Sequence, residues 1–192
     1  NLNNISKNME GDNIWIKPID IAYDGKDIFI ASYYRGLVEW YNDYWHPITI
    51  STPAQNTVWR MDWKKGKLAI AHGGHSDWRP LWLSGKSSVL QKNKWEIIDN
   101  FLDKKSVSDL IDIKIAPYDT SIVFATSLVK GLVKIKNGTI CNIFDNTNSP
   151  LQKFELDTQR LATMSLDCDI NQHLWLSNYS SSKPLLVLTK TK

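Results

Sequence analysis

The sequence predicts an all-β fold built from about four copies of one four-stranded antiparallel sheet. Three observations carry this expectation. First, an apolar run, a short polar or aromatic loop and a second apolar run recur in that order. The copies are "DIFIASYYRGLVEWYNDYW" (27–45), "KLAIAHGGHSDWRPLWLSGKSSVLQKNKW" (67–95), "IVFATSLVKGLVKIKNG" (122–138) and "HLWLSNYSSSKPLLVLTK" (173–190). Second, each copy is preceded by tight-turn residues: Asp24-Gly25-Lys26, Lys65-Gly66-Lys67, Pro117-Tyr118-Asp119-Thr120 and Asp169-Ile170-Asn171-Gln172. Gly, Asn, Asp and Pro supply the positive or preset φ that such turns need. Third, helical periodicity is absent, apart from a helical turn expected within 102–107.

The strands follow in order. First strands are expected at 19–24, 58–63, 110–116 and 164–169, before the tight turns. Second strands lie at 28–32, 68–72, 122–126 and 174–178. Third strands lie at 37–41, 87–91, 131–136 and 185–189, and each is expected to pair with its own second strand. Fourth strands follow a second hairpin at 44–48, 94–98 and 139–144, with none in the last copy. Second strands such as "IFIAS" and "IVFAT" are apolar nearly throughout, which a strand covered on both faces requires.

Four antiparallel strands recurring every 40–50 residues or so are the signature of a β-propeller blade. A solenoid repeats at shorter intervals, and a sandwich does not repeat its sequence. The expectation is one β-propeller segment over 1–192, with blades near 19–48, 58–98, 110–144 and 164–192 and the last incomplete. Two arrangements stay open. The segment belongs to a larger propeller, with its open edges covered by other blades or a second domain of the same chain, or residues 13–16 ("NIWI") supply a missing outer strand and close a four-bladed ring. The first is preferred, because four-bladed rings are rare.

Composition narrows the function. The chain has 192 residues, enough for a sizeable core, and its net charge is +3 from 23 basic and 20 acidic residues. No long block of one charge sign gives a footprint for nucleic acid. No apolar run reaches the roughly 18–20 residues of a membrane-spanning helix. The nine Trp and seven Tyr fit a strand-rich domain with aromatic anchors. Trp45 and Trp95 each open a fourth strand and are expected to pack against the adjoining blade. Cys141 and Cys168 fall on different, non-neighbouring strands among apolar residues and read as two buried thiols.

The repeat resembles a known family. A turn followed by an "LW-small-small" strand, a polar loop and a "GL-V" strand is similar to the two-component regulator propeller repeat. It is carried by "QHLWLSN" (172–178), "DIFIASYYRGLVEW" (27–40) and "IVFATSLVKGLVKI" (122–135), with "FDNTNSPLQ" (144–152) similar to the linker between blades. The loop "NYSSSKPLLVL" (178–188), the insertion "GGHSDWRP" (73–80) and the placement of Trp45 and Trp95 look closer to the PorZ-like propeller proteins of the type IX secretion system of Bacteroidetes. The second copy departs from the pattern, lacking both the Trp and the Gly-Leu-Val. The PorZ-like resemblance implies a non-enzymatic protein of the periplasm or outer-membrane surface, with a signal peptide on the full-length protein. Such a protein serves export and surface attachment of cargo, beside a sortase-like partner and an anionic lipopolysaccharide. The wider resemblance implies instead the carbohydrate-sensing periplasmic part of a hybrid two-component histidine kinase.

In a four-stranded meander, the loops between second and third strands share a face with the blade linkers. Binding is expected there. Arg35, Arg79, Lys130 and Lys183 are placed to face an anion, and Tyr33, Tyr34 and Trp78 to stack on sugar rings. The competing reading has these as solvated loop residues, with Trp78 packed over a neighbouring blade. His72 and His75 with Asp77 have partial zinc-ligand spacing, but the Gly73-Gly74 loop between them reads as flexible and further ligands are missing, so no metal or other cofactor is expected. Asp109 with Asp112 and Asp167 with Asp169 read as solvated strand-end acids. No nucleophile stands beside a base in sequence, so no enzyme activity is expected.

Overall fold

The structure is a computed structural model that describes residues 17–33, 36–41, 44–48, 51–99 and 107–189. It is all-β: antiparallel sheets with no helix among the described residues. The segments 13–16 and 102–106 lie outside them. The chain divides into two compact units, Asn1–Ser51 and Thr52–Lys192.

The first unit holds one sheet: β1 (Pro18–Tyr23), β2 (Ile28–Ser32), β3 (Gly36–Tyr41) and β4 (Tyr44–Pro47), each antiparallel to the next. The Asp24 carboxylate makes its first turn by accepting from Lys26 N–H and Asp27 N–H at 2.9 and 2.8 Å. Ile30, Val38 and Trp45 form a small core, with Ile28 and Trp40 against it. Trp45 lies edge-on to Trp40, its cross-strand partner, with centroids 4.8 Å apart.

The second unit repeats the plan. Its first sheet has β5 (Arg60–Lys64), β6 (Lys67–Ala71), β9 (Ser87–Gln91) and β10 (Lys94–Ile98) side by side. A two-stranded insertion, β7 (His75–Ser76) and β8 (Arg79–Pro80), sits between β6 and β9. The next sheet runs β11 (Leu110–Ile115), β12 (Ile122–Ser127), β13 (Gly131–Lys136) and β14 (Thr139–Phe144). The last has β15 (Thr163–Cys168), β16 (Leu174–Asn178) and β17 (Leu185–Leu188). Every expected second strand pairs with its own third strand. Hairpin turns such as Lys65-Gly66, Lys92-Asn93 and Asn137-Gly138 have positive φ at both residues, as two-residue turns require.

The core of this unit lies between sheets. β12 is buried along its whole length because its two faces serve two clusters. Val123 and Ala125 join Ala69, Ala71 and Val89 of the preceding sheet. Ile122 and Phe124 join Leu166, Leu174 and Leu176 of the following one. Carboxylates tie the first strands of these sheets together: Ile115 N–H donates to Asp62, and Leu166 N–H donates to Asp112, each at 2.8 Å. Lys114 lies between Asp62 and Asp167, at 3.8 and 3.4 Å.

Several expectations are corrected. Cys141 is exposed on β14, and Cys168 is half-buried at the end of β15, where it packs against the edge of the cluster that holds Leu166 and Leu174. Both are free thiols. The acids are not uniformly solvated: Asp109 is fully buried, and burial raises the pKa values of Asp109 and Asp112 against the pull of the N–H groups that donate to them. Gly73 and Gly74 are buried rather than loose. Gly73 N–H donates to the Leu110 carbonyl at 2.8 Å, and a Cβ on Gly73 would run into the Leu110 backbone. Trp45 is buried, but within its own sheet. Trp95 is only half-buried, on the outermost strand of its sheet. Replacing Trp95 by Ala is therefore expected to cost about 2 kcal/mol, less than the roughly 3–5 kcal/mol of a fully buried Trp. Chemical denaturation of the two proteins reads the difference, and a loss above about 3 kcal/mol would mean that Trp95 is covered.

Candidate ligand-binding face

In the second unit the loops after second strands are fixed by one device. The second strand ends in a buried polar residue that grips the linker entering its own sheet. In the third sheet Ser127 donates to the Ser108 carbonyl at 2.7 Å. In the fourth, Asn178 accepts from Gln152 N–H at 2.6 Å and donates to the Gln152 carbonyl at 2.9 Å. In the second, the strand ends in Ala71 and the role passes to His72. Its Nδ1 donates to the Thr57 carbonyl, and its Nε2 accepts from Ser88 at 2.8 Å. Both ring nitrogens of His72 are thus engaged in the scaffold. Among the described residues no three His, Cys, Asp or Glu side chains converge as a metal centre.

The insertion 73–86 is held equally firmly. The buried Asp109 carboxylate accepts Trp82 N–H and Leu83 N–H, each at 3.0 Å. Asp109 N–H donates back to the Leu83 carbonyl, and Gly85 N–H to the Val107 carbonyl, both at 3.0 Å. At the tip of β7–β8, Asp77 and Trp78 take φ of 47° and 65°, and Trp82 takes 57°. A bulky residue in the left-handed region is an outlier. Strain of this kind persists only where the surroundings over-determine it, and it clusters at functional sites. Here it turns two indoles outward: Trp78 is 53% exposed and Trp82 68%.

These loops meet in a row of rings. Trp59 abuts His75 edge-on at 5.1 Å, and His75 stacks on Trp78 at 4.7 Å. Trp78 stacks on Tyr179 at 5.8 Å, and Tyr179 on Phe154 at 5.7 Å. The Arg160 guanidinium lies 4.6 Å from the Phe154 centroid, forms a 2.9 Å ion pair with Asp157 and donates to the Trp78 carbonyl at 3.5 Å. The row combines the insertion of the second sheet, the loop of the fourth and the linker between the third and fourth. Trp78 accordingly packs on another sheet's loop and still presents half of its surface to water.

The other expected residues are placed unequally. Arg79 is exposed next to this row, on β8 opposite Ser76. Lys183 is exposed on the loop that carries Tyr179, its N–H donating to Gln152 Oε1 at 2.9 Å. Ser181 and Ser182 of the same loop spend their hydroxyls on the Asn178 carbonyl and Gln152. Tyr33 belongs to the first unit, 65% exposed with the Lys17 ammonium 5.1 Å from its centroid. Tyr34 and Arg35 lie outside the described residues. The sequence reading missed Trp59, Phe154, Tyr179 and Arg160. Tyr179 stood inside the quoted 178–188 loop and was the one legible signal.

No family model and no curated protein matches the sequence. Among solved structures, the chain is similar to PorZ, described as an essential bacterial surface component of the type-IX secretion system of Porphyromonas gingivalis. The TM-score is 0.67 at 17% identity, over 86% of this chain and 23% of that one. This likeness speaks to the fold, and the chain spans about a quarter of the length of the solved PorZ chain. Weaker similarity extends to the extracellular domain of a protein described as a hybrid two component system from B. thetaiotaomicron. There the TM-score is 0.42 at 16% identity, over 88% of this chain and 20% of that one. The WD40 beta propeller domain of Doa1 matches at TM-score 0.33 and 11% identity, over 90% of this chain and 68% of that one.

Proposed function

We propose that this chain is a segment of a β-propeller in a bacterial envelope, acting without catalysis as a scaffold for proteins and an anionic polysaccharide. The observation that carries the reading is the fold shared with PorZ over 86% of the chain at TM-score 0.67. The sheets are then successive blades, and the periplasm or outer-membrane surface is the compartment. Export and surface attachment through type IX secretion is the process, with a sortase-like protein as partner and lipopolysaccharide as the glycan.

The row of rings from Trp59 to Phe154 supports the glycan part. Sugars bind by stacking a ring face on exposed aromatics, and the neighbouring Arg79 and Lys183 supply positive charge. Affinity for anionic envelope polysaccharide is expected to fall between low and physiological salt, because exposed charges are screened over roughly 8–10 Å. It is also expected to fall in the double substitution Arg79→Ala with Lys183→Ala. Unchanged binding there, with loss on substituting Lys26 or Lys65 in the hairpin turns, would place the site on the opposite face. Deleting the gene separates the scaffold from a sensor. A scaffold's loss strands type IX cargo, whereas a sensor's loss changes polysaccharide-responsive transcription and leaves secretion intact.

A further inference from the structure

Beside the row of rings lies a cleft of about 500 Å³ with an unusual lining. Lys130, from the loop between β12 and β13, lines it. Lys153 and Arg160, from the linker between the third and fourth sheets, line it too, as do Asn142 and Asn148. The walls are fixed by backbone: Leu161 N–H donates to the Val129 carbonyl at 3.0 Å, and Lys130 pairs in parallel with Leu161. Lys130 and Lys153 are exposed, and neither forms a salt bridge among the described residues. One carboxylate, Asp145, shares the cleft. The Thr147 hydroxyl and N–H bind it and hold its pKa below the usual range, with Lys130 adding to the pull. Arg160 shares its charge with Asp157. The balance left in the cleft is positive, and its size suits a monosaccharide or disaccharide.

Arg160 joins the cleft to the rings. Its side chain lines the cleft, its guanidinium covers the face of Phe154, and it donates to the Trp78 carbonyl. A bound chain that places an oxyanion between the two lysines therefore has its next ring directed towards Tyr179 and Trp78. We propose that the Lys130–Lys153–Arg160 cleft binds the carboxylate or phosphate of an acidic sugar whose neighbouring residue packs against the exposed surfaces of Trp78 and Tyr179. Two adjacent subsites of different chemistry would make the surface selective for acidic over neutral glycans. A neutral chain keeps the stacking but must desolvate the lysines without return.

This inference rests on the reading of the loop face as a glycan surface, and its test separates the two. The probes are an oligogalacturonate, a phosphomannan oligosaccharide and a neutral maltooligosaccharide, titrated calorimetrically at low and physiological salt. At least one acidic probe is expected to bind more tightly than the neutral one; the carboxylate and phosphate arms distinguish the oxyanion. Lys130→Ala with Lys153→Ala, both at exposed positions, is expected to weaken the acidic probe about tenfold or more, as losing charge-assisted hydrogen bonds does. The same variant is expected to flatten the salt dependence and to bind the neutral probe at least as tightly as before, since no lysine is left to desolvate. Trp78→Ala is expected to weaken both classes. If the double variant keeps full acidic affinity while Trp78→Ala loses it, the cleft assignment fails and the glycan face stands. If no acidic probe is preferred, or only Lys65→Ala abolishes binding, both fail.

Discussion

Substituting Phe124 by Ala is expected to lower the unfolding free energy by about 3–5 kcal/mol, the usual cost of truncating a buried aromatic. Phe124 is 1% exposed and sits among Leu132, Leu151, Leu161, Leu166, Leu174 and Leu176. These residues come from the third sheet, the fourth sheet and the linker between them. The ring is therefore shared by two sheets, and the void left by Ala is walled by backbone that cannot collapse without separating them. Phe124→Leu keeps most of the volume and is expected to cost under about 1.5 kcal/mol. Urea denaturation compares the two variants. A loss for Phe124→Ala inside the roughly 0.5 kcal/mol of surface substitutions would mean that these sheets do not pack across Phe124.

The sheets were legible because alternation, turn chemistry and repetition agreed. "IVFAT" is apolar at its first four positions, and β12 feeds one cluster through Val123 and Ala125 and another through Ile122 and Phe124. A strand with a single buried face would have alternated. The turns were legible for a local reason, as Asn137-Gly138 can reach φ of 49° and 75° at little cost. The misread residues had their outcome decided by tertiary contact. Trp95 has the composition of a core residue, yet it sits on the edge strand of its sheet, where part of its surface stays in water. Gly73-Gly74 looks like a loose loop, yet the Leu110 backbone occupies the space where a Cβ would stand. No sequence window contains both partners of such a contact.

The site was legible in part for the same reason. Trp78 stood out as a bulky aromatic in a polar insertion, and the general argument that these loops share a face with the linkers led to the right elements. What joins them was hidden. Trp78 stacks on Tyr179, a hundred residues or so further along the chain, and Phe154 and Arg160 come from a linker with no aromatic pattern of its own. Lys130 was named as an anion partner, but its sharing a cleft with Lys153 required the pairing of the linker along the 129–131 loop. Local chemistry selects candidate residues, and register between sheets decides which of them meet.

Gly131→Ala is expected to cost about 2–5 kcal/mol, and Gly36→Ala only about 1–2 kcal/mol, although both begin the third strand of their sheets. The two share a backbone reason. Gly131 has φ of 93° and Gly36 of 69°, a region where a Cβ meets its own backbone. They differ in surroundings. A Cβ on Gly131 would run into the Phe144 carbonyl and stand 3.0 Å from the Leu161 side chain, whereas among the described residues nothing lies within 4 Å of one on Gly36. The Phe144 carbonyl is backbone, so relief has to come from moving β13 away from β14. That shift also pulls the Gly131 carbonyl from the Thr163 hydroxyl, which donates to it at 2.7 Å, and loosens the linker that carries Arg160. Gly131→Ala should therefore lose stability and acidic-glycan affinity together, while Gly36→Ala loses a little stability alone. Equal costs in thermal unfolding would mean that the third sheet yields to the extra methyl, and that the 129–131 loop is not held rigidly enough to shape the cleft beside it.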